Sequence, residues 1–196
     1  MSYFPWENKI DEDLARINKI PDSITEDLWK LDEGISCADW MPEDVVFELA
    51  PNSGIKLGDA IPNSLGICIV NDKLKTILSK ADSNFEFFPA KIKNARGKFS
   101  TKKYFIANLI GTVHCMDMQA SKYRMSKLDK GQAERITELV LDEEKIPEGK
   151  QIFRLGEMSQ LLIVAKPTAM EIAVHQKCTG VNMTYLEDYG VEFRKQ

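Results

Sequence analysis

The sequence lacks the features that mark several large classes of protein. No uninterrupted apolar run approaches the roughly 18–20 residues that a membrane-spanning helix needs, so we expect no transmembrane segment and no membrane partner. The acidic start has no basic segment followed by an apolar one and therefore predicts no secretory signal. The cysteines form no CxxC pair and indicate reduced thiols, which predicts a cytoplasmic protein. They are Cys37, Cys68, Cys115 and Cys178.

Catalytic and metal-binding signatures are also missing. There is no GxSxG nucleophile elbow, GxGxxG turn, P-loop or HExxH zinc motif, and only two histidines are present. His114 and Cys115 are adjacent on a predicted strand, where neighbouring side chains point to opposite faces, so they cannot pair as base and nucleophile. His175 and Cys178 could share a helix face, but no second ligand pair completes a zinc site. The sequence therefore predicts no catalytic residue, no cofactor and no metal ligand.

Two alternatives to a non-catalytic protein stay open from the residues alone. An enzyme of unknown reaction could use His114 and Cys115, or the acidic turn Asp142–Glu144, although consecutive carboxylates in turns are usually solvated. A weak nucleic-acid binder could use the basic stretch Lys91–Lys103, in which Phe99 is an interleaved aromatic residue. The overall net charge of −4 argues against general binding to DNA or RNA.

Charge is divided unevenly along the 196 residues. Residues 1–60 carry a net charge of −9, residues 61–130 carry +8, and residues 131–196 carry −3. The first and second of these parts can pack together and neutralise each other's field. Alternatively, one of them can meet an oppositely charged partner and raise the rate of association. The residues alone do not separate these two interpretations.

Short apolar runs predict an α+β fold with a mixed, largely antiparallel sheet and a few short helices. A long strand is predicted over Tyr104–Met116, where side chains alternate between two faces. Apolar residues from Leu74 to Ala81 recur at helical spacing, and Asn71 precedes them as a residue that can cap a helix. Residues 1–60 otherwise look irregular, with one or two short helices.

The expected organisation is an acidic N-terminal segment, residues 1–60, packed on an α+β body of residues 61–196. Within the body, residues 67–88 and residues 161–186 each predict a buried strand, a helix and a short strand. The helix of the second unit is predicted over Thr168–Lys177. Two such units in one chain indicate a repeated supersecondary element.

Eleven short segments match, in order and spacing, those of one protein family. They are Gly34–Trp40, Pro42–Leu49, Leu57–Asp59, Asn63–Gly66, Ile69–Leu74, Phe87–Pro89, Tyr104–Leu109, Asp117–Ser121, Leu141–Pro147, Ile152–Leu155 and Thr179–Val181. Through them the chain resembles the Myxococcus-type immunity family of bacterial polymorphic toxin systems, over roughly residues 30–190. The resemblance implies a cytoplasmic protein that binds and neutralises a cognate toxin, encoded by a neighbouring gene, without enzymatic activity. It supplies no site residues.

An inhibitor of this kind needs aromatic and charged anchors at its interface. The acidic first third would suit a toxin with a cationic, nucleic-acid-binding cleft, because carboxylates can take the place of phosphates. Self-association as a homodimer is a further expectation for the partners of this chain. The candidate partner-binding residues are Asp11, Glu12, Asp13, Trp29, Asp32, Glu33 and Trp40.

Overall fold

The computed structural model describes residues 2–191, and within them eleven strands form two sheets and a hairpin. The strands are β1 Tyr3–Asn8, β2 Val45–Glu48, β3 Ile69–Asn71, β4 Phe85–Lys93, β5 Tyr104–Leu109, β6 Thr112–Val113, β7 Lys122–Met125, β8 Ala133–Glu138, β9 Ile152–Leu155, β10 Met158–Ala165 and β11 Val181–Met183. The α-helices are α1 Leu28–Asp32, α2 Asp72–Ala81 and α3 Lys166–Met170. A π-helical turn, Glu171–His175, continues α3, and short 3-10 helices lie at Asp22–Ile24, Glu143–Lys145 and Leu186–Asp188. The predicted α+β class, with a mixed, largely antiparallel sheet and few short helices, is confirmed.

The four-stranded sheet has the order β2-β4-β5-β3 and is antiparallel except for the parallel pair β2 and β4. One face packs on the N-terminal segment, and Phe47, Ile92, Tyr104 and Ile106 are buried there in a first core. Because side chains alternate along a strand, the other face points away from this core and carries α2. The N-terminal segment and α2 therefore lie on opposite sides of the sheet.

The five-stranded sheet has the order β11-β1-β10-β9-β6. Its second strand, β1, pairs antiparallel with β10, where Tyr3 lies opposite Ala165, and with β11, where Asn8 lies opposite Val181. The first and last strands of the described chain are thus neighbours in one sheet. Residues 1–60 supply β1 to this sheet and β2 to the other, and their description as a separate segment stays a prediction.

The two units proposed as repeats have the same local arrangement. In the first, β3 and β4 flank β5 and are joined through α2. In the second, β10 and β11 flank β1 and are joined through α3 and the π-helical turn. Both flanking strands run antiparallel to the central strand in each case, so each unit is a split β-α-β element. A common origin of the two units stays a prediction.

The helix predicted after Asn71 is present as α2. The Asn71 side-chain oxygen accepts hydrogen bonds from the backbone N–H groups of Lys73 and Leu74, both at 3.1 Å. Leu74 and Leu78 are buried on the inner side of the helix. The cap and the apolar stripe therefore act together, as their spacing in the sequence predicts.

Three predicted elements differ from the structure. The strand expected over Tyr104–Met116 ends at Leu109, because Gly111, with φ +83°, turns the chain out of the four-stranded sheet. The chain then enters the five-stranded sheet as β6. The helix expected over Thr168–Lys177 starts two residues earlier, at Lys166, since Pro167 suits the first helical turn, and it becomes π-helical from Glu171. The irregular start of the chain contains β1.

Candidate functional site

Two tryptophans and one lysine meet at the surface around α1. Trp29 lies on α1 and is 49% exposed. The Lys30 Nζ atom lies 5.7 Å from the ring centroid of Trp29 and 5.4 Å from that of Trp40, so a single cation contacts both rings. The carboxylate of Asp27 pairs with the same Nζ atom at 2.7 Å. We call Asp27, Trp29, Lys30, Glu33 and Trp40 the tryptophan surface.

The tryptophan surface lies within an acidic stretch of the chain. Residues 22–48 contain nine aspartates or glutamates and a single basic residue, Lys30, whose charge Asp27 offsets. Glu33 directly follows α1 and is exposed. The field over this surface is therefore negative and favours a partner with a positive face.

The core holds the tryptophan surface in place. Leu31 on the inner side of α1 is buried in the first core, and Trp40 is half-buried against the same core. The backbone N–H of Ile35 donates to the Lys30 carbonyl at 3.0 Å, and that of Met41 donates to the Cys37 carbonyl at 3.0 Å. These hydrogen bonds and core contacts hold in place the backbone that carries the two tryptophans.

Asp32 faces inward, unlike Glu33. Its Oδ2 atom accepts a hydrogen bond from Nε2 of Gln160 at 3.1 Å, while its buried Oδ1 atom has no hydrogen-bond partner within residues 2–191. Burial raises the pKa of the Asp32 carboxyl, and it outweighs the Gln160 hydrogen bond and the charge of Arg154, which act in the opposite direction. Asp32 therefore connects the end of α1 to Gln160 on β10, and Glu33 is the carboxylate that is exposed to solvent.

A buried arginine joins the two sheets beneath α1. Arg154 on β9 is only 5% exposed, and burial lowers its pKa. Its Nε atom donates to the Leu109 carbonyl at 2.7 Å and its Nη1 atom to the Ser159 carbonyl at 2.8 Å. Its Nη2 atom lies 3.3 Å from Oδ1 of Asn108 on β5. We call Arg154, Asn108 and Glu86 the arginine cluster.

The arginine cluster reaches the chain that follows α1. The Asn108 Nδ2 atom donates to the Ile35 carbonyl at 2.8 Å and to Oε2 of Glu86 at 3.1 Å. Glu86 in turn accepts from the hydroxyl of Ser36 at 2.6 Å and from the backbone N–H of Cys37 at 2.8 Å. Three consecutive residues between the two tryptophans are thus held by one buried network, which fixes the tryptophan surface to both sheets.

Gly34 allows the chain to pass close to this arginine. Its φ of +66° is in the left-handed region, and a Cβ atom there would lie 2.8 Å from Cδ of Arg154 and 3.0 Å from the Leu109 carbonyl oxygen. The Gly34 carbonyl accepts a hydrogen bond from the backbone N–H of Gly111 at 2.9 Å. Only glycine fits both the conformation and the space.

The structure places the acidic run of Asp11, Glu12 and Asp13 on a separate exposed loop. The Asp11 carboxylate accepts the backbone N–H of Asp13 at 3.0 Å, and the Asp13 carbonyl accepts that of Lys56 at 3.0 Å. Within residues 2–191, no hydrogen bond or ion pair joins this loop to the tryptophan surface. The loop lines a cavity of about 250 Å³. Three lysines line the same cavity and partly offset the negative charge of the loop. The lysines are Lys9, Lys56 and Lys177.

The acidic first third and the basic middle third of the chain contact each other. Along the parallel pair β2 and β4, Asp44, which directly precedes β2, pairs with Lys91 at 2.5 Å, and Glu48 of β2 pairs with Lys93 at 2.7 Å. Part of the uneven charge is therefore offset by ion pairs at the protein surface between the first and the middle third of the chain. The carboxylates of the tryptophan surface are not part of these two pairs.

The structure separates the two groups considered for catalysis. Cys115 is buried and His114 is exposed, with its Nδ1 atom 3.5 Å from Oε1 of Glu157. Burial, followed by the charges of Glu157 and Asp142, raises the pKa of the Cys115 thiol to about 12. A thiol in this environment is protonated at neutral pH and is a poor nucleophile.

The acidic turn after β8 forms the start of a 3-10 helix, and its first carboxylate caps that helix. Asp142 precedes the 3-10 helix Glu143–Lys145, and its Oδ1 atom accepts the backbone N–H of Glu144 at 3.3 Å. Its Oδ2 atom lies 2.9 Å from Nζ of Lys145. These contacts account for Asp142 as a cap of the turn.

Sequence reasoning brought Trp29 and Trp40 forward but missed the arginine cluster. One signal was available, because Arg154 interrupts an apolar strand in which the neighbouring residues are buried. Three of the family-like segments, Gly34–Trp40, Tyr104–Leu109 and Ile152–Leu155, meet at this cluster. These three segments therefore contribute to one buried network.

Comparison with known proteins identifies the family. Within residues 2–191, no helix is long and apolar enough to cross a membrane, and no group of three His, Cys, Asp or Glu side chains could hold a metal ion. No curated protein matches the sequence. The model of one family, described as "Immunity protein family (Imm11)", matches residues 6–188, which are nearly the whole chain. The chain therefore belongs to the Imm11 immunity protein family, a membership that points to a role in immunity to a toxin.

Proposed function

We propose that this protein is a cytoplasmic immunity protein that binds the toxin encoded by a neighbouring gene and neutralises it without catalysis. The observation that carries the proposal is the half-exposed Trp29 on an acidic, internally braced surface. Tryptophan on a rigid support is the residue type that most often dominates the energy of a protein interface. Membership of an immunity family supplies the class of partner.

The tryptophan surface suits a toxin whose active cleft is cationic. Such a cleft, built to bind nucleic acid, attracts carboxylates in the positions of phosphates, and the exposed Glu33 is of this kind. Trp29 would fill an apolar recess, with Lys30, which also contacts Trp40, lying against its ring. A tight complex of this type buries about 1,600 Å² in total, so the contact extends beyond these side chains.

The loop with Asp11, Glu12 and Asp13 would contribute mainly through its field. Its carboxylates are exposed and are separate from the tryptophan surface. Exposed charges at the rim of an interface change the rate of encounter more than they change the final affinity. Asp32, which is turned toward Gln160, would act by supporting α1.

Co-expression with the toxin gene tests the proposal. The wild-type protein should restore growth, whereas the double variant Trp29→Ala, Glu33→Arg should lose protection and bind the purified toxin at least about 100-fold more weakly. The matched control, Leu128→Ala with Glu148→Arg, changes an exposed apolar side chain and an exposed carboxylate elsewhere and should protect fully. Equal protection by both double variants, with both folded, would reject the tryptophan surface. Absence of a complex between wild type and toxin would reject the proposed function.

A further inference from the structure

A groove lies on the part of the four-stranded sheet that α2 leaves uncovered. The helix packs over the end of the sheet that carries Phe85 and Phe87. Beyond it, Pro89 on β4 and Phe105 on β5 lie opposite each other and line a cavity of about 620 Å³. This face points away from the first core, so the groove and the tryptophan surface lie on opposite sides of the sheet.

One aromatic side chain of the groove is held out toward solvent. Phe99 is 56% exposed and lines the cavity from the turn between β4 and β5. That turn is well defined, because the Asn94 side chain accepts the backbone N–H groups of Arg96 and Lys98, both at 3.0 Å. Phe99 itself forms an isolated bridge with Lys93. The backbone that carries the exposed ring is thus held in place before any partner arrives, which lowers the entropic cost of binding.

Cations surround this apolar floor. The Lys75 Nζ atom of α2 lies 3.9 Å from the ring centroid of Phe105. Lys102 and Lys103 line the cavity, are exposed, and form no ion pair with any residue between 2 and 191. Lys91 lines it as well, with its charge shared with Asp44. The groove therefore combines aromatic surface with unpaired positive charge.

We propose that this groove binds a short acidic peptide segment of a partner protein that carries an aromatic or aliphatic side chain. The apolar side chain would lie on Phe99 and Phe105, and flanking carboxylates would pair with Lys102 and Lys103. The proposal does not depend on which protein supplies the segment, and it concerns a different side of the sheet from the proposed toxin contact.

A peptide fits the groove better than a nucleic acid does. The cavity has room for one large side chain and its neighbours, whereas a nucleic-acid strand needs a basic track that continues along several phosphates. Here the track is interrupted on one side by Glu48 of β2 and by Asp44, which directly precedes β2. The protein as a whole is also negative, which disfavours a long polyanion more than a short acidic segment.

Fluorescence anisotropy with the full chain tests the groove. The probe is a labelled peptide of about ten residues in which glutamates flank a central phenylalanine–leucine pair, and it should bind at low salt. The variants Phe99→Ser and Lys102→Glu with Lys103→Glu should each weaken binding by about tenfold or more. The control, Lys127→Glu with Lys130→Glu, makes the same charge change at exposed lysines of another turn and should alter binding by less than about twofold.

The altered side chains are exposed, so thermal unfolding of each variant should match that of wild type. The proposal is overturned if the probe does not bind, or if the groove and control charge reversals weaken binding equally. It is also overturned if a thymidine oligonucleotide of about ten nucleotides binds more tightly than the peptide, which would assign the groove to single-stranded nucleic acid. Each of these results leaves the toxin-binding proposal intact, since Trp29 and Glu33 are unchanged.

Discussion

The Nη2 atom of Arg154 lies 3.3 Å from Oδ1 of Asn108, and this contact joins the five-stranded sheet to the four-stranded sheet. Through Glu86 the same network reaches the backbone that follows α1. The surface proposed to bind the toxin is therefore supported by a buried polar group instead of by apolar packing alone. Two consequences for stability can be measured directly.

Replacing Arg154 with alanine should destabilise the protein by about 3–5 kcal/mol, because the Leu109 and Ser159 carbonyls and Oδ1 of Asn108 would lose a charged hydrogen-bond donor inside the fold. Urea unfolding measures the change. Arg124→Ala is the control, since Arg124 pairs with Glu134 at the surface and its removal should cost less than about 1 kcal/mol. Similar losses for the two variants would show that Arg154 does not link the sheets energetically.

Replacing Gly34 with alanine should cost more than the backbone strain of about 1–3 kcal/mol expected at a positive φ. The added Cβ would meet Arg154 and the Leu109 carbonyl. Gly149→Ala isolates the strain, because Gly149 has φ +78° and open space around it. If unfolding experiments give equal losses for the two glycines, the close approach to Arg154 does not contribute.

Asp59 should stabilise the fold above acidic pH. Burial alone would raise the pKa of this carboxyl, but hydrogen bonds from Thr179 and Asn71 and the charge of Lys73 outweigh it and hold the pKa below its usual range. A lowered folded-state pKa gives stability that is present above the unfolded-state value, about 3.9, and is lost as pH falls through the folded-state value. Asp59→Asn should thus be less stable than wild type at pH 7, with a difference that shrinks toward pH 3. Denaturant unfolding of both proteins between pH 7 and pH 3 measures this difference. A difference in the free energy of unfolding that does not change with pH would contradict the assigned role of the Asp59 carboxylate.

Asp32 should show the opposite sign. Its folded-state pKa is raised, so its contribution to stability is full below the unfolded-state value and is lost as pH rises through the folded-state value. At pH 7 the buried carboxylate is a net cost, and Asp32→Asn should be more stable than wild type. The gain should fade below about pH 4. A variant that is less stable at neutral pH would mean that the negative charge beside Arg154 is needed there.

Charge reversal of Glu12 and Asp13 to lysine should slow association with the toxin by about tenfold at low salt and leave the dissociation rate nearly unchanged. Asp11 is kept because its side chain caps the local turn. Stopped-flow measurements at several salt concentrations test this, with Glu144→Lys and Glu148→Lys as the matched reversal on another exposed turn. An association rate equal to that of wild type at low salt would rule out steering by this loop.

Local patterns in the sequence predicted the fold where the stabilising contacts are also local. The helix α2 was predicted because Asn71 and the apolar residues that it precedes lie in one short stretch of chain. Strand β1 was missed because it contains Pro5 and because its partners, such as Ala165 and Val181, are far along the chain. The break at Gly111 was missed because alternation of apolar residues continues across it.

The candidate site, too, has some residues that the sequence identifies and others whose roles depend on distant parts of the chain. Trp29 and Trp40 were singled out by residue type, and the structure joins them through Lys30. That Asp32 turns inward while Glu33 turns outward depends on Gln160, which no local pattern reveals. The arginine cluster likewise depends on partners in three distant segments of the chain. The role of these residues in binding a toxin stays a prediction.

Because β1 lies between β10 and β11, the five-stranded sheet can be completed only late in the synthesis of the chain. The four-stranded sheet uses no residue beyond Leu109, so it can form while the second half of the chain is still being made. Strand β1 is translated before the other ten described strands but has no partner until Met158–Met183 follow, at roughly 5–20 residues per second. The five-stranded sheet is therefore completed only after β11 has been translated, and a message truncated before β10 would produce a protein in which β1 has neither of its partner strands.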